Sequence, residues 1–388
     1  APYPNTRDVA ALRAQVDHGA LLLASYSCSV RSASWLRSGW LVGIRADRQT
    51  MRSVCAPVRV PGDSDFALER DPLARSVRLP DLAMTTIREG LLRGPVLVSV
   101  PRVGDLVSPS CSVCRTSVRC PSCCGPVTGR RTGTGVDLHC TWCGTHLPRW
   151  RCPECGSTDV RSGIVGATTT AGELGRAFPD VPVVDSSGNH VRDSVDSAPR
   201  LVVATPGAEP VPESGYSCAV ILDALSSLTR PGLAAVEQTV DRWMAIMAFV
   251  RSVRDGGRVV VVGPSEDAAL QAMVRNDPIG WAARELEDRR EARFPPAVPC
   301  GIVDGEPQTV ALATERLNED MGDKLEVLGP APQQRRAGES ERDRIIVRPV
   351  GQLSVGELSS ALFHLRSKHT MNHEQGTLRV VIDPAHLL

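Results

Sequence analysis

Eight of the thirteen cysteines fall between Cys111 and Cys155, as four C-x-x-C pairs: Cys111 and Cys114, Cys120 and Cys123, Cys140 and Cys143, Cys152 and Cys155. A C-x-x-C turn sets two thiolates on one side of a tight loop, and tetrahedral zinc joins two such knuckles through four sulfurs at about 2.3 Å. Four knuckles therefore predict two closed zinc sites. They are structural rather than catalytic, because no position is left open for water. Iron in a rubredoxin-like site would use the same donor set. A disulfide scaffold suits short secreted chains with too little core, whereas these cysteines are clustered within a chain of 388 residues. Gly144 and Gly156 follow the second cysteine of their knuckles and permit the sharp turn there. Cys124 directly follows Cys123, so either could ligate; the regular spacing favours Cys123. The spacing alone does not fix which knuckles pair. Cys28, Cys55, Cys218 and Cys300 lie in apolar surroundings and read as core residues.

The cysteine block also concentrates charge. It carries Arg115, Arg119, Arg130, Arg131, Arg149, Arg151 and Arg161 against Asp137, Glu154 and Asp159, a local positive excess in a chain of net charge zero. Trp142 and Trp150 lie among them. Arginines that track phosphates, with aromatic faces for bases, are what single-strand binding uses. A solvated basic knuckle with buried tryptophans accounts for the same residues. A neutral chain has no global field to draw it to nucleic acid or anionic membranes, so any such affinity must be local.

These residues need a frame to hold them, and the composition supplies one. At 42% hydrophobic and 23% charged, the chain reads as an ordinary soluble globular protein of two or three domains. No apolar run approaches the ~20 residues of a membrane-spanning helix. The start, Ala1-Pro2-Tyr3-Pro4, has neither the charged beginning nor the apolar stretch of a secretory signal. The expected compartment is the cytoplasm, and the missing initiator Met suggests processing or a fragment.

Near the start, a helical stretch (Val9 to Val16) precedes an apolar run, Leu21 to Ala24, with the look of a buried strand. A helix from about Leu82 to Leu92 then precedes a strand, Pro95 to Val100. After the cysteines, strands are predicted at Val160 to Val165, Val181 to Val184, Leu201 to Ala204, Ala219 to Leu222 and Arg258 to Val262. They alternate with helices at Ala171 to Ala177, Leu233 to Val253 and Ala268 to Val274. Continuous apolar strands alternating with helices imply a parallel sheet covered on both faces. A charged helix, Trp281 to Arg293, leads through Phe294-Pro295-Pro296 into two strand–helix–strand sets, a compact α+β domain.

The four paired cysteines, set inside an α/β unit, resemble the zinc-binding insertion of the PriA family of primosomal replication-restart helicases (primosomal protein N-prime). Asp277 to Pro296, DPIGWAARELEDRREARFPP, looks like that family's entry into its C-terminal domain. Val327-Leu328-Gly329-Pro330-Ala331-Pro332 and Val381-Ile382-Asp383-Pro384 resemble two further signatures of it. Upstream, Arg7-Asp8-Val9-Ala10 resembles the segment just after the family's second ATPase motif. The resemblance spans essentially the entire chain, in order, and is closest in tone to actinobacterial members with eroded motors.

The resemblance implies an α/β chain: a degenerate second RecA-like helicase lobe with an inserted two-zinc ribbon module and a C-terminal α+β domain. The corresponding boundaries are 1–50 for a remnant of the first motor lobe, 51–108 and 159–284 for the second lobe, 109–158 for the zinc module and 285–388 for the C-terminal domain. It further implies that Cys111, Cys114, Cys152 and Cys155 share one zinc while Cys120, Cys123, Cys140 and Cys143 share the other. DNA contacts are expected from Arg115, Arg119, Arg130, Arg131, Arg149 and Trp142 in the module, and from Arg335 and Arg336 in a basic stretch of the C-terminal domain that also holds Arg342, Arg344 and Arg348. Glu339, Glu341 and Asp343 interrupt that stretch, and a solvated hairpin explains it as well.

The departures from the family point to a dead motor. A phosphate-binding loop needs Gly-Lys-Ser/Thr, yet the only lysines are Lys324, which follows Asp323, and Lys368, which follows Ser367. Where the family has Gly-Ser-Ala-Thr-Pro, this chain reads Ala24-Ser25-Tyr26-Ser27-Cys28. Where the family places a glutamine and two arginines that reach the γ-phosphate, it has Ala245, Phe249 and Ser252; the nearby Arg242, Arg251 and Arg254 read as the polar face of a helix. Thr205-Pro206-Gly207 takes the place of an altered DNA-coupling motif. The expected function is that of a replication-restart primosome protein that binds forked or single-stranded DNA and scaffolds assembly without hydrolysing ATP. The alternative is the C-terminal portion of an active 3′-to-5′ helicase. Family analogy gives primosome proteins and single-stranded DNA-binding protein as partners, although Glu357 stands where the latter's acidic tail would need basic character. No membrane is involved, and the expected localisation is cytoplasmic, at the nucleoid.

Overall fold

The computed structural model describes residues 5–75, 77–102, 106–107, 109–114, 116–132, 135–140, 143–161, 165–230, 232–333, 340–351 and 353–384. Its main layer is a six-stranded sheet in the spatial order Val58–Arg59, Arg258–Val261, Cys218–Ile221, Val96–Ser99, Leu201–Ala204 and Val183–Ser186. Every pairing in it is parallel. The central strands are buried along their whole length, which is why they read as unbroken Val/Ile/Leu runs rather than as alternation. One face packs Trp243, Leu270, Trp281 and Leu286 from the helices Ala235–Phe249, Ala268–Arg275 and Pro278–Glu291. The other packs Ile87 and Leu174 from Asp81–Leu91 and Ala167–Ala177. Among the described residues, no helix is long and apolar enough to cross a membrane.

Two expectations fail here. Leu21 to Ala24 is an exposed loop rather than a buried strand, with Leu22 80% exposed. Val58–Arg59 forms the edge next to Arg258–Val261, and the run pairs with no strand among the described residues. Nor does the strand expected from Val160 to Val165 join the parallel sheet. Only Val160–Arg161 is strand, it pairs antiparallel with Ser110–Cys111, and residues 162–164 lie outside the described residues. The helix Val30–Arg37 was not anticipated. Ser29 caps it by accepting the Ser32 N–H, and Val30 and Ala33 complete the core beside Pro278–Glu291.

The last unit is a four-stranded antiparallel sheet in the order Leu325–Pro332, Asp343–Pro349, Gly301–Gly305, Leu378–Ile382. The helices Pro307–Met321 and Val355–Met371 close its core with Val310, Leu317, Leu358 and Leu362. This is two interleaved strand–helix–strand units, the ferredoxin-like arrangement. Ser354 and Glu357 form a full capping box at the second helix, so Glu357 serves the helix start.

Candidate metal centre

The module that carries the cysteines is inserted between the central strand Val96–Ser99 and the helix Ala167–Ala177. A short antiparallel pair and a three-stranded antiparallel sheet, whose edge strand is Leu106–Val107, organise it. At the base, Ser110 faces Arg161 and Cys111 faces Val160, so the chain enters and leaves at one place. Farther out, Val127–Thr132 and Gly135–Cys140 form a hairpin in which Val127 faces Cys140. The base pair draws the first and last knuckles together, and the hairpin draws the middle two.

The knuckles share one backbone design. The N–H of the first cysteine donates to the carbonyl five residues on: Cys111 to Thr116 (2.9 Å), Cys120 to Gly125 (3.0 Å), Cys140 to Thr145 (2.9 Å) and Cys152 to Ser157 (2.8 Å). The second cysteine's sulfur accepts the backbone N–H two residues on, from Thr116, Gly125, Thr145 and Ser157 in turn. Such bonds favour the thiolate.

The result is two groups of four sulfurs, Cys111, Cys114, Cys152 and Cys155 in one, Cys120, Cys123, Cys140 and Cys143 in the other, each within 4.8 Å of one another. The closest approaches are 3.3 to 3.6 Å. Sulfurs on a tetrahedron with 2.3 Å arms stand about 3.8 Å apart, whereas a disulfide needs about 2.05 Å. The clusters are therefore spaced to hold an ion between their sulfurs, and each could hold one. Cys123 belongs to the inner cluster, whereas Cys124 is exposed at the turn with φ 57°.

Charge tells the same story. The Thr116 hydroxyl, then its N–H, holds the Cys114 thiol down to about 6, and Thr145 does this for Cys143. Cys123 and Cys155 rise to about 12: the N–H of Gly125 or Ser157 favours their thiolates, but desolvation and the neighbouring thiols together outweigh it. Four crowded thiols resist ionising together, and a bound dication supplies the missing positive charge. Of the other cysteines, Cys28, Cys218 and Cys300 are buried and Cys55 half-buried; burial pushes Cys218 up to about 12, so it is a core thiol and not a nucleophile.

Comparison with known proteins agrees with this architecture. The model of the Primosomal protein N C-terminal domain matches residues 290–385. A "Probable replication restart protein PriA" of Mycobacterium bovis is 38% identical over 400 residues, covering 100% of this chain and 61% of the relative. The chain belongs to the PriA family. The Mycobacterium leprae protein of the same description is 39% identical over 396 residues (100% of this chain, 60% of the relative). The "Replication restart protein PriA" of Thermotoga maritima is 27% identical over 265 residues (63% of this chain, 35% of the relative). The chain thus spans about 61% of the length of the first of these PriA relatives.

Within this PriA-family chain, the residues expected to meet DNA are spread out. Arg119 and Arg149 are exposed on the module. Arg130 and Arg131 lie on the hairpin strand Val127–Thr132. Arg115, Trp142, Arg335 and Arg336 fall outside the described residues. Trp150 packs on the module core. Arg344 is paired with Asp304 (2.7 Å) and Arg348 with Glu326 (2.8 Å), so both serve the C-terminal sheet. Arg251, a nearby alternative for the missing γ-phosphate arginines, is bound to the carbonyls of Arg93, Ser214 and Gly215.

One important residue went unnoticed in the quoted stretch 277–296. Arg289 is 6% exposed and donates to Glu285 (2.8 Å) and to the carbonyls of Leu233 (2.9 Å) and Pro295 (3.3 Å), with Glu237 at 3.4 Å. It locks the last helix of the parallel-sheet unit where the chain enters the C-terminal sheet. Its helical register with Trp281, Ala282 and Leu286, all buried, was the available signal.

Proposed function

We propose that this chain is a replication-restart primosome protein that binds forked or single-stranded DNA and scaffolds assembly without unwinding DNA. The observation that carries the reading is a PriA-family chain with two complete four-thiol clusters, whose parallel-sheet unit has Ala245, Phe249 and Ser252 where the resemblance expects a glutamine and two arginines. The clusters hold two Zn2+ as structural ions, through Cys111, Cys114, Cys152 and Cys155 and through Cys120, Cys123, Cys140 and Cys143. Four sulfurs per ion leave no position for a reacting water. The parallel-sheet unit is a degenerate second RecA-like lobe, in which Ala245, Phe249 and Ser252 offer no charge to a phosphoryl group. Its partners are primosome proteins and single-stranded DNA-binding protein, and its place is the cytoplasm, at the nucleoid.

A loaded four-thiolate zinc centre carries a charge of about −2. Two of them offset much of the module's arginine charge, so DNA contact falls to arginines that project away from the sulfurs, such as Arg119 and Arg149. The second reading, part of an ATP-dependent 3′-to-5′ helicase, is favoured by the greater length of the relatives. Fork binding and ATP hydrolysis, measured side by side on metal-verified protein, separate the two. Salt-sensitive fork binding with no turnover is expected. DNA-stimulated turnover overturns the scaffold reading in favour of the helicase, and absence of fork affinity at low salt removes DNA binding from it.

A further inference from the structure

The C-terminal sheet covers one face with its own two helices. On the other face, the buried Cys300, Ile302 and Ile346 meet Leu233 and Phe294, which belong to the parallel-sheet unit and to the chain leaving it. Three buried side chains make a small contact, and units joined by so little apolar surface move relative to one another by default. Polar bonds at the two edges of the sheet therefore decide how it sits. At the edge formed by Leu325–Pro332 and Asp343–Pro349, the connecting segment itself is fastened. Arg293 pairs with Glu326 (2.7 Å) and donates to the Pro349 carbonyl (2.6 Å), and Arg348 donates to the Ala292 carbonyl (2.9 Å). This edge travels with the chain that joins the two units, so it is the hinge side.

The opposite edge is the strand Leu378–Ile382, and Asp383 follows it directly. Asp383 Oδ1 accepts the Cys300 N–H (3.1 Å), while its own N–H donates to the Cys300 carbonyl (2.7 Å). Asp383 Oδ2 accepts from Arg31 Nη2 (3.0 Å). Arg31 comes from the helix Val30–Arg37, which packs on Pro278–Glu291 and is tied to it by the ion pair of Arg37 with Glu287. One guanidinium thus spans from the helices of the parallel-sheet unit to the far edge of the C-terminal sheet.

Arg31 has a second carboxylate within reach. Asp8 Oδ1, on the helix Thr6–Val16, stands 3.6 Å from Arg31 Nε, beyond hydrogen-bond distance. This oxygen is buried and accepts no hydrogen bond among the described residues. The neighbouring Arg7 donates to Ser29 Oγ, the cap of Val30–Arg37, so the first helix is tied to the same turn. A buried carboxylate oxygen without a donor is costly, and a small shift of the guanidinium would satisfy it at the expense of Asp383. We infer that Arg31 is a latch between the two units, with Asp8 as its competitor. Held by Asp383, it keeps the free edge of the C-terminal sheet closed. Drawn onto Asp8 by a movement of the first helix, it lets the sheet turn about residues 292–299. A contact with two discrete arrangements is what turns a small local shift into a domain motion.

Amide hydrogen exchange, read by mass spectrometry on the full metal-loaded chain, tests the latch because it reports local opening. The variants are Arg31→Gln, Asp8→Asn and Asp383→Asn, the last of which keeps an oxygen for the Cys300 N–H. Arg31→Gln and Asp383→Asn are expected to exchange about fivefold faster in peptides covering residues 298–303 and 380–384, the size a partly buried ion pair supports. Exchange in the strand Val96–Ser99 should not change. Asp8→Asn should slow exchange in the same two peptides, because it removes the competitor. Unchanged exchange there in Arg31→Gln overturns the latch. Acceleration that spreads into Val96–Ser99 overturns it too, by making Arg31 an ordinary support of the fold. Asp8→Asn with unchanged or faster exchange removes the competition on which the switch depends.

Discussion

Cys124 takes the left-handed turn of the second knuckle, at φ 57°, where the third and fourth knuckles use Gly144 and Gly156 at φ 70° and 74°. Its N–H donates to the Cys120 carbonyl, as Gly144 does to Cys140 and Gly156 to Cys152. A side chain with a Cβ pays about 1 kcal/mol or more for that conformation. The two adjacent thiols therefore have separate jobs, one as ligand and one as turn. Cys124→Gly is expected to keep both metal ions and raise stability by about 0.5–1 kcal/mol. Cys123→Ser should lose one of the two ions. Metal content per chain, with a denaturation curve for each variant, reads both effects. A Cys124→Gly protein short of one ion would exchange the two assignments.

At the scale of elements, the helix Pro278–Glu291 depends on a charge buried where an apolar residue would ordinarily sit. Burial raises the Glu237 carboxyl above its usual range, and Arg289 is the chief group pulling it back. Arg289→Met leaves that carboxylate with the Val30 N–H and the weaker pull of Arg7, and is expected to cost about 3 kcal/mol near neutral pH. The sign of its pH dependence follows from Glu237. A carboxyl whose folded pKa lies above the unfolded value costs most above the folded pKa, and the cost fades as pH falls toward the unfolded one. In the variant the folded value climbs further, so its deficit against the parent should shrink between pH 7.5 and pH 5 in urea denaturation. A deficit constant with pH would place the loss in packing alone. Long, fully buried strands such as Leu201–Ala204 were plain in the sequence because their apolar runs are unbroken, and the helices between them followed. The helix Val30–Arg37 was not legible: eight residues with four polar side chains give little periodicity, and it is held by contacts with a helix nearly 250 residues away. Leu21 to Ala24 misled for the opposite reason, an apolar run without a sheet edge to join. The cysteine spacing announced the thiol pairs.

For the whole molecule, the consequence of this layout is a division of stability. The parallel sheet and the C-terminal sheet each have a core of their own, on the order of a domain's. Among its described residues, the inserted module buries the apolar side chains Val118, Val127, Leu138 and Leu147 besides the ligands Cys111, Cys120, Cys140 and Cys152. So few apolar residues cannot offset the ordering of about fifty residues at roughly 1–2 kcal/mol each. Metal binding must then supply the folding energy, as in small zinc domains, where it reaches about 10–16 kcal/mol per ion. Because Cys111 and Val160 face each other at the base, the chain enters and leaves the insertion at one place. Stripping the metal should therefore unfold the module and spare the rest. Chelation is expected to expose Arg119, Arg149 and Arg151 to trypsin within a surviving, cooperatively melting remainder, and readdition of zinc should restore protection. Loss of the whole far-ultraviolet signal on chelation would mean instead that the module is needed to hold the parallel sheet together, with its ions supporting the entire chain.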